Sequence, residues 1–310
     1  MGERLAAVSI DLDEIPCYAA IHGIELDDAS SRAIYRHALA RFERLFDDLD
    51  LRATFFAIGQ DIDDENAPKL RRLADAGHEV ANHSLSHLYD LSRRTEDEVR
   101  YEVRAAADLI ESATGIRPVG FRAPGYTITR TVFDALELEG VAYDSSVFPC
   151  PAYYGAKAAA IGAYAVRAKF GRGRPSHSVI DDPRVLRAPA NPYRIGRPYW
   201  TRGTGLLELP IGVTCGARLP FIGTSVALAG PRGADWLARA MVGRPLVSLE
   251  LHGIDLADAD QDGLQQLRPH QPDLRRSAEF KEASLRAAIT RLRHAGYTFL
   301  TCAQAADHFA

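Results

Sequence analysis

Residues 52–87, "RATFFAIGQDIDDENAPKLRRLADAGHEVANHSLSH", contain the pattern that decides the fold. The first apolar run is typical of a buried strand. Residues 67–77 carry leucines at helical spacing, with Pro68 in the first turn and Gly77 as a stop signal. The run "HEVAN" at 78–82 is typical of another strand. This order predicts a right-handed β-α-β unit within a parallel sheet.

The same alternation continues along the 310 residues, and about seven β/α units can be counted. We therefore predict an α/β fold, a distorted or incomplete (β/α)7 barrel. The first strand is followed by no G-x-G-x-x-G, which argues against a dinucleotide-binding fold. A segment at about 150–204 is rich in Gly, Pro and Arg and shows no clear period. We predict one catalytic domain over residues 1–310, with this segment as an insertion that shapes the substrate pocket.

Composition excludes several classes of protein. A net charge of -4 gives no electrostatic case for a nucleic-acid partner. Charged residues interrupt the apolar run at the start, and the sequence has no run of about 20 apolar residues, so we expect a cytoplasmic protein without a membrane span. The four cysteines are scattered and predict free thiols. Cys17 follows an acidic cluster, but packing is a better interpretation than function.

Polar residues that end the predicted strands are the candidates for chemistry, because barrel enzymes hold their sites at the carboxyl ends of strands. In "SIDLDE" an extended backbone points Asp11 and Asp13 to one face, roughly 7 Å apart. A solvated acidic turn is the alternative. His83 and His87, spaced i, i+4, can converge on one ion from a helical turn. Together with one carboxylate they would form a metal site with a coordination position open for water.

Three later strand ends add candidates of lower specificity. Arg122, in "GFRAPGYT", can pair with a carboxylate, and Asp144 ends "AYD". In "LVSLELHGID", Glu250 and His252 share one face, and His252 is a candidate general acid or base. Taken singly, a surface arginine and a structural histidine are equally good or better interpretations.

These motifs, in this order, resemble the polysaccharide deacetylase family, also known as the NodB-homology fold or carbohydrate esterase family 4. The resemblance is carried by D-x-D at the first strand, G-H-E-V-x-x-H-x-x-x-H at the third, and R-x-P at the fourth. An Asp after the fifth strand and an L-x-H type of motif around His252 complete it. It covers roughly residues 5–150 and 205–302. The resemblance implies an incomplete barrel of the NodB-homology type.

The resemblance also implies roles for the candidate residues. Asp11 would be the catalytic base and Arg122 the residue that holds it. The metal ligands would be Asp13, His83 and His87. His252 would be the acid that protonates the leaving group, with Asp144 as its partner. A backbone N–H near Gly125 would stabilise the oxyanion, and Tyr126 would form part of the pocket wall. Because the family often has D-D-G where this chain has D-x-D-E, the roles of Asp11 and Asp13 could be reversed.

The function that these roles imply is removal of an N-acetyl or other N-acyl group from an amino sugar or glycoconjugate by a divalent metal. Zn²⁺ is the first choice of metal, with Co²⁺, Ni²⁺ and Mn²⁺ as alternatives. Two variants are deformylation of a lipid-linked amino sugar and hydrolysis of a small non-sugar amide. A peripheral membrane contact through the basic residues Arg167, Lys169, Arg172 and Arg174 would suit the lipid-linked case, although a solvated surface loop is the better interpretation of these residues. Alternatives of another class are a non-haem Fe(II) oxygenase and a carbohydrate-binding protein without activity.

Overall fold

Strands and helices alternate along the chain, as the sequence predicts. The computed structural model describes residues 3–22, 24, 28–169 and 179–310. The strands are β1 Leu5–Asp11, β2 Thr54–Ala57, β3 Glu79–Asn82, β4 Gly120–Phe121, β5 Tyr143–Asp144, β6 Tyr193–Ile195, β7 Arg202–Glu208, β8 Leu246–His252 and β9 Thr298–Leu300. The helices are α1 Ile15–His22, α2 Asp28–Ser31, α3 Leu39–Asp48, α4 Ala67–Asp75, α5 Glu96–Thr114, α6 Arg130–Leu138, α7 Pro151–Lys169, α8 Gly223–Leu228, α9 Gly230–Arg239, α10 Ala278–His294 and α11 Cys302–Phe309.

The described strands form one sheet in the order β6-β7-β5-β4-β3-β2-β1-β8, and β9 pairs with the first half of β1. All pairs are parallel except the β6-β7 hairpin at one edge. Seven strands, β1 to β5 with β7 and β8, therefore form a parallel series whose two ends do not pair within the described residues. The prediction of an incomplete (β/α)7 barrel is confirmed.

β1 shows how the side-chain alternation positions the site. Val8 and Ile10 pack into the large apolar cluster between the sheet and the outer helices. Leu5 and Ala7 pack into a different cluster, which α11 closes with Cys302 and its neighbours. Because successive side chains point to opposite faces, the second set continues into Ser9 and Asp11. The carboxyl end of β1 thus places the Asp11 carboxylate on the same face of the sheet as Leu5 and Ala7.

Two local predictions need correction. The third strand begins at Glu79, not at His78, because Gly77 has φ +87° and the chain is still leaving the turn that follows α4. The segment at 150–204 is not an irregular insertion throughout. It contains the helix α7, the strand β6 and the beginning of β7. The apolar and small residues of α7 are spread around the helix, so the sequence carries no strong helical period there.

No helix in residues 3–22, 24, 28–169 and 179–310 is long and apolar enough to span a bilayer.

Candidate active site

Asp11 and Arg122 form a buried ion pair at the carboxyl ends of β1 and β4. Nη1 of Arg122 donates to Oδ1 of Asp11 at 2.6 Å, and both side chains are almost fully excluded from solvent. Arg122 also donates to Oγ of Ser9 and to the carbonyl and hydroxyl oxygens of Ser145. The guanidinium lies 4.1 Å from the ring centre of Phe56. These contacts fix the position of the guanidinium, and its bond to Oδ1 fixes the orientation of the Asp11 carboxylate.

Asp13, His83 and His87 come together as the sequence predicts. Nε2 of His83 lies 3.3 Å from Oδ1 of Asp13, and Nε2 of His87 lies 3.2 Å from Oδ2. One donor atom from each of the three residues lies within 4.8 Å of the others. All three side chains are buried. The spacing and the mixture of two imidazoles and one carboxylate are those of a divalent metal site.

The backbone that presents the two histidines is not helical, which corrects the predicted helical turn. Ser84 and His87 have positive φ values of 66° and 50°. Oδ1 of Asn82 accepts from the N–H of Ser84, and Oγ of Ser84 accepts from the N–H of His87. This hydrogen-bonded loop brings the imidazoles to a centroid distance of 5.0 Å.

The surroundings indicate which atoms could hold a metal. Nδ1 of His83 lies 2.8 Å from the carbonyl oxygen of Arg122, so Nδ1 carries the proton and Nε2 is left for a metal. Burial works to raise the pKa of Asp13, yet the His87 and His83 imidazoles hold it well below its usual range. Oδ1 of Asp13 and Nε2 of His87 make no hydrogen bond within the described residues, although both atoms are buried. Atoms that lie close together without bonding each other fit a shared cation.

Glu14 completes the "DLDE" motif but serves the fold. Its carboxylate accepts from the backbone N–H groups of Ile15, Ile34 and Tyr35 at 3.0 to 3.2 Å. Asp13 and Glu14 are at most 5% exposed. The acidic run is therefore not a solvated turn, since its members are buried and have different tasks.

His252 lies at the end of β8, beside Asp11 in register. Its Nδ1 is 3.0 Å from Oε1 of Glu250, and its Nε2 is 3.2 Å from the hydroxyl of Tyr126. Burial works to lower the pKa of His252, but Glu250, through its charge and its hydrogen bond, together with Asp11 and Asp13, raises it well above the usual value. The imidazole is therefore held protonated, as a general acid requires.

The predicted pairing of Asp144 with His252 is wrong. Asp144 is beside Glu208 in register, accepts from the N–H and hydroxyl of Ser146, and is fully buried. In the sheet order, β4, β3, β2 and β1 separate β5 from β8, so the two side chains cannot be strand neighbours. Glu250 takes the place of the partner. The sequence did carry a signal for this partner. Glu250 stands two residues before His252, at the position where the L-x-H motif has leucine.

The segment around Gly125 has an unusual backbone. Gly125 and Tyr126 both have positive φ, 61° and 57°. The N–H of Tyr126 donates to the carbonyl oxygen of Ala123, so this N–H is already used inside the turn. The ring of Tyr126 packs edge-on against Phe148 and Tyr153. Tyr126 therefore contributes its hydroxyl to the site, and Gly125 remains the candidate for a backbone donor.

One cavity of about 230 Å³ brings these groups together. Asp11, Asp13, His83, Gly125, Tyr126 and His252 line it, and Tyr18, Tyr89 and Tyr153 complete its aromatic wall. None of these three tyrosines was singled out from the sequence. Tyr89 packs edge-on against His87 at 4.8 Å, and Tyr153 comes from α7, within the 150–204 segment.

Two further expectations have simple outcomes. Cys17 lies in α1, and burial together with Asp13, Asp61 and Glu14 raises the pKa of its thiol, so a reactive thiolate is disfavoured. Of the basic residues proposed for a membrane contact, Arg172 and Arg174 lie outside the described residues, and Lys169 is the exposed last residue of α7.

The family comparison confirms the resemblance. Residues 23–143, which include His83, His87 and Arg122, match the model of the polysaccharide deacetylase family. The peptidoglycan deacetylase of Helicobacter pylori is 28% identical over 148 residues, which cover 47% of this chain and 50% of that protein. The chitooligosaccharide deacetylase of a Bradyrhizobium species is 42% identical over 92 residues, 29% of this chain and 41% of that protein. The chain thus spans half or less of the length of these relatives.

Solved structures agree on the fold. A Mycobacterium smegmatis protein described as a polysaccharide deacetylase superposes with a TM-score of 0.62 at 18% identity, covering 99% of this chain and 91% of that one. A carbohydrate esterase domain of a multidomain xylanase, from the hindgut metagenome of Trinervitermes trinervoides, gives 0.50 at 14% identity, covering 98% and 89%. At these identities the likeness shows the NodB-homology fold and nothing about substrate.

Proposed function

Because residues 23–143 match the polysaccharide deacetylases and the chain has their fold, we propose that this protein is a metal-dependent N-deacetylase acting on an amino sugar or glycoconjugate. The observation that carries the proposal is the shared cavity. Three potential metal ligands, an arginine-bound carboxylate and a protonated histidine all line it or adjoin it.

Asp13, His83 and His87 would hold the metal, and their unbonded buried atoms fit that task. A bound divalent ion supplies a Lewis acid for the acyl oxygen and lowers the pKa of water. Two imidazoles with one carboxylate suit Zn²⁺, and the same set accepts Co²⁺, Ni²⁺ or Mn²⁺.

Asp11 is the general base in this proposal. Arg122 occupies Oδ1 of Asp11 at 2.6 Å, which leaves Oδ2 as the oxygen that takes a proton from the attacking water. Oδ2 also lies 3.8 Å from Nε2 of His83, so base and ligands adjoin. The guanidinium keeps the base oriented, because four of its five N–H donors are used by Asp11, Ser9 and Ser145.

His252 is the general acid. Amide cleavage needs a proton on the departing nitrogen, since a free amide anion is a very poor leaving group. Glu250 keeps the imidazole protonated from the Nδ1 side, and the Nε2 proton faces the hydroxyl of Tyr126. The hydroxyl of Tyr126 therefore either relays this proton to the departing nitrogen, or is displaced by the substrate, whose nitrogen then accepts the proton directly from Nε2. The N–H of Gly125 is the proposed backbone donor to the oxyanion.

The residue set also separates the proposal from its alternatives. A 2-oxo-acid-dependent iron oxygenase needs the two histidines and one carboxylate, but has no use for the Asp11–Arg122 and Glu250–His252 pairs. A protein that only binds carbohydrate has no need of a histidine whose pKa a neighbouring glutamate raises. Both alternatives predict no release of acetate.

The test is incubation of the full chain, loaded in turn with Zn²⁺, Co²⁺, Mn²⁺ and Ni²⁺, with N-acetylated sugars, sugar nucleotides, chitooligosaccharides and lipid-linked amino sugars. Mass spectrometry should show loss of an acetyl group, or of a formyl group if the lipid-linked variant is right, with one free amine per acid released. Turnover that requires Fe(II), oxygen and a 2-oxo acid would support the oxygenase instead. Binding without turnover for every metal would refute catalysis.

A further inference from the structure

Part of the cavity wall carries polar groups that the proposed reaction does not use. Asp273 lines the cavity together with Ile222, Thr224 and Gln271. It is 3% exposed, and its Oδ1 has no hydrogen-bond partner within the described residues. Its Oδ2 lies 3.5 Å from Nε2 of Gln271. A buried carboxylate oxygen left without a donor is costly unless a ligand supplies one.

Lys281 does not fill this role. Nζ of Lys281 donates to the backbone carbonyl oxygens of Ile254, Ala257 and Asp273 at 2.6 to 3.0 Å. Those three bonds use all three ammonium protons. Lys281 therefore binds the backbone of Asp273 and has no proton left for the carboxylate oxygen Oδ1.

Tyr18 is a second group of this kind. It is 7% exposed, lines the same cavity, and its hydroxyl has no hydrogen-bond partner within the described residues. Its ring packs edge-on against His252 at 6.4 Å. An unused donor at Tyr18 and an unused acceptor at Asp273 are thus presented to whatever occupies the space beside the general acid.

The size of the cavity limits the occupant. At about 230 Å³ it is smaller than the roughly 300–1,000 Å³ of sites that hold drug-sized ligands. One sugar ring with its acyl group suits such a space.

We propose that the cavity takes a single N-acylated amino sugar ring as the substrate, and that a ring hydroxyl donates to Asp273 while another bonds the hydroxyl of Tyr18. The inference rests on the proposed deacetylase function and specifies its substrate class. It makes Asp273 and Tyr18 residues that determine specificity. Neither takes part in proton transfer to the amide.

Substrate length tests the size of the site. Initial rates of acetate release are compared for N-acetylglucosamine, N-acetylgalactosamine and chitooligosaccharides of increasing length. We expect kcat/KM for at least one monosaccharide to equal or exceed that for every oligomer. Turnover confined to the longer chains overturns this inference and leaves the proposed function standing. No acetate from any length, with metal bound, overturns both.

Deletion of single hydroxyls tests the two contacts without relying on a variant alone. Asp273→Asn should lower kcat/KM for the monosaccharide by about 10- to 100-fold, with bound metal unchanged. Deoxy analogues should identify one hydroxyl whose removal costs the native protein a similar factor and costs Asp273→Asn little more. Tyr18→Phe should show the same pattern of kcat/KM losses, but with an analogue that lacks a different hydroxyl. The exposed Asp260→Asn is the matched control. The proposed contacts would be overturned if, for every deoxy analogue, the fold-loss in kcat/KM of the variant acting on that analogue equalled the product of the two separate fold-losses.

Discussion

Nδ1 of His252 lies 3.0 Å from Oε1 of Glu250, two residues earlier on the same face of β8. The proposed general acid and the carboxylate that keeps it charged thus come from a single strand. Their relative position depends only on the strand geometry, in which residues i and i+2 point the same way. By contrast, a partner from β5 would depend on the curvature of the whole sheet.

Glu250→Gln should move the alkaline limb of the kcat profile to lower pH. The protonated imidazole is the active form, so activity falls as pH rises through the pKa of His252, which Glu250 raises. Removing the charge of Glu250 lowers that pKa, and the fall begins earlier. Asp144→Asn, measured beside it, should leave the limb in place, because Asp144 bonds Ser146 and adjoins Glu208. A shift with Asp144→Asn alone would restore the predicted Asp144–His252 pair.

Metal analysis of purified variants should separate ligands from proton-transfer groups. We expect Asp13→Ala, His83→Ala and His87→Ala to lose bound metal, because each removes one of the three converging ligand atoms. Asp11→Ala and His252→Ala should retain metal and lose turnover. His37→Ala is the control, since that side chain is exposed. Metal lost from Asp11→Ala but kept in Asp13→Ala would reverse the two aspartate roles.

A mutant cycle on Asp11 and Arg122 should show strong coupling in stability. Arg122→Met leaves Asp11 as a buried unpaired carboxylate, which we expect to cost about 3–5 kcal/mol in urea unfolding. The double variant Arg122→Met with Asp11→Asn should recover part of that loss, because no charge remains uncompensated. Arg104→Met removes a half-exposed pair with Glu139 and should cost less than about 1 kcal/mol. If Arg122→Met and the double variant lost the same free energy of unfolding, the unpaired Asp11 carboxylate would not be the source of the lost stability.

The fold and the convergence of Asp13, His83 and His87 could be predicted because each depends on short-range sequence pattern. The run containing Asp11 and Asp13 alternates with apolar residues, so strand geometry alone places both carboxylates on one face. His83 and His87 follow the next but one strand, and parallel strands end at the same edge. The convergence of these residues followed from topology. The left-handed backbone at Ser84 and His87 did not, because it depends on bonds from Asn82 and Ser84.

The errors arose where the answer depends on distant contacts. Asp144 ends a strand, as an active-site residue should, but its neighbour in the sheet is Glu208, which lies beyond the 150–204 segment. Tyr153 reaches the cavity from α7, whose alanine-rich sequence shows no apolar stripe. Asp273 and Tyr18 belong to no motif. Only the assembled cavity shows that their polar atoms face the same space.

His78 should contribute to acid sensitivity. Its buried ring lies between Phe46 and Phe55, Nδ1 accepts from the N–H of Ala53, and burial, with the charge of Arg52, lowers its pKa to about 4. A depressed folded pKa stabilises the fold above the unfolded value near 6.5, and this contribution is lost as pH falls from about 6.5 to 4. Over that pH range the free energy of unfolding should therefore fall less in His78→Gln than in the native protein, by up to about 3 kcal/mol, as measured by urea unfolding. The exposed His37→Gln should match the native slope, and an unchanged slope in His78→Gln would contradict the assignment.

Lys157 offers a test of what α7 does for the site. Its Nζ donates to the carbonyl oxygen of Gly125 at 2.7 Å, and burial lowers the pKa of the amine to about 8. Lys157→Met keeps the apolar stem but removes the donor that fixes the turn. We expect kcat/KM to fall about 3- to 30-fold, through a poorly placed Gly125 N–H, with metal content unchanged.

The pH dependence of that loss separates a role for the ammonium from one of packing. Below pH 8 the ammonium is present and the ratio of native to variant kcat/KM should be largest. As pH rises through about 8 the native lysine becomes neutral, its hydrogen bond weakens, and the ratio should decrease. Lys169→Met, from the exposed end of the same helix, controls for loss of charge on α7. A ratio that stays constant across pH would assign Lys157 to packing alone.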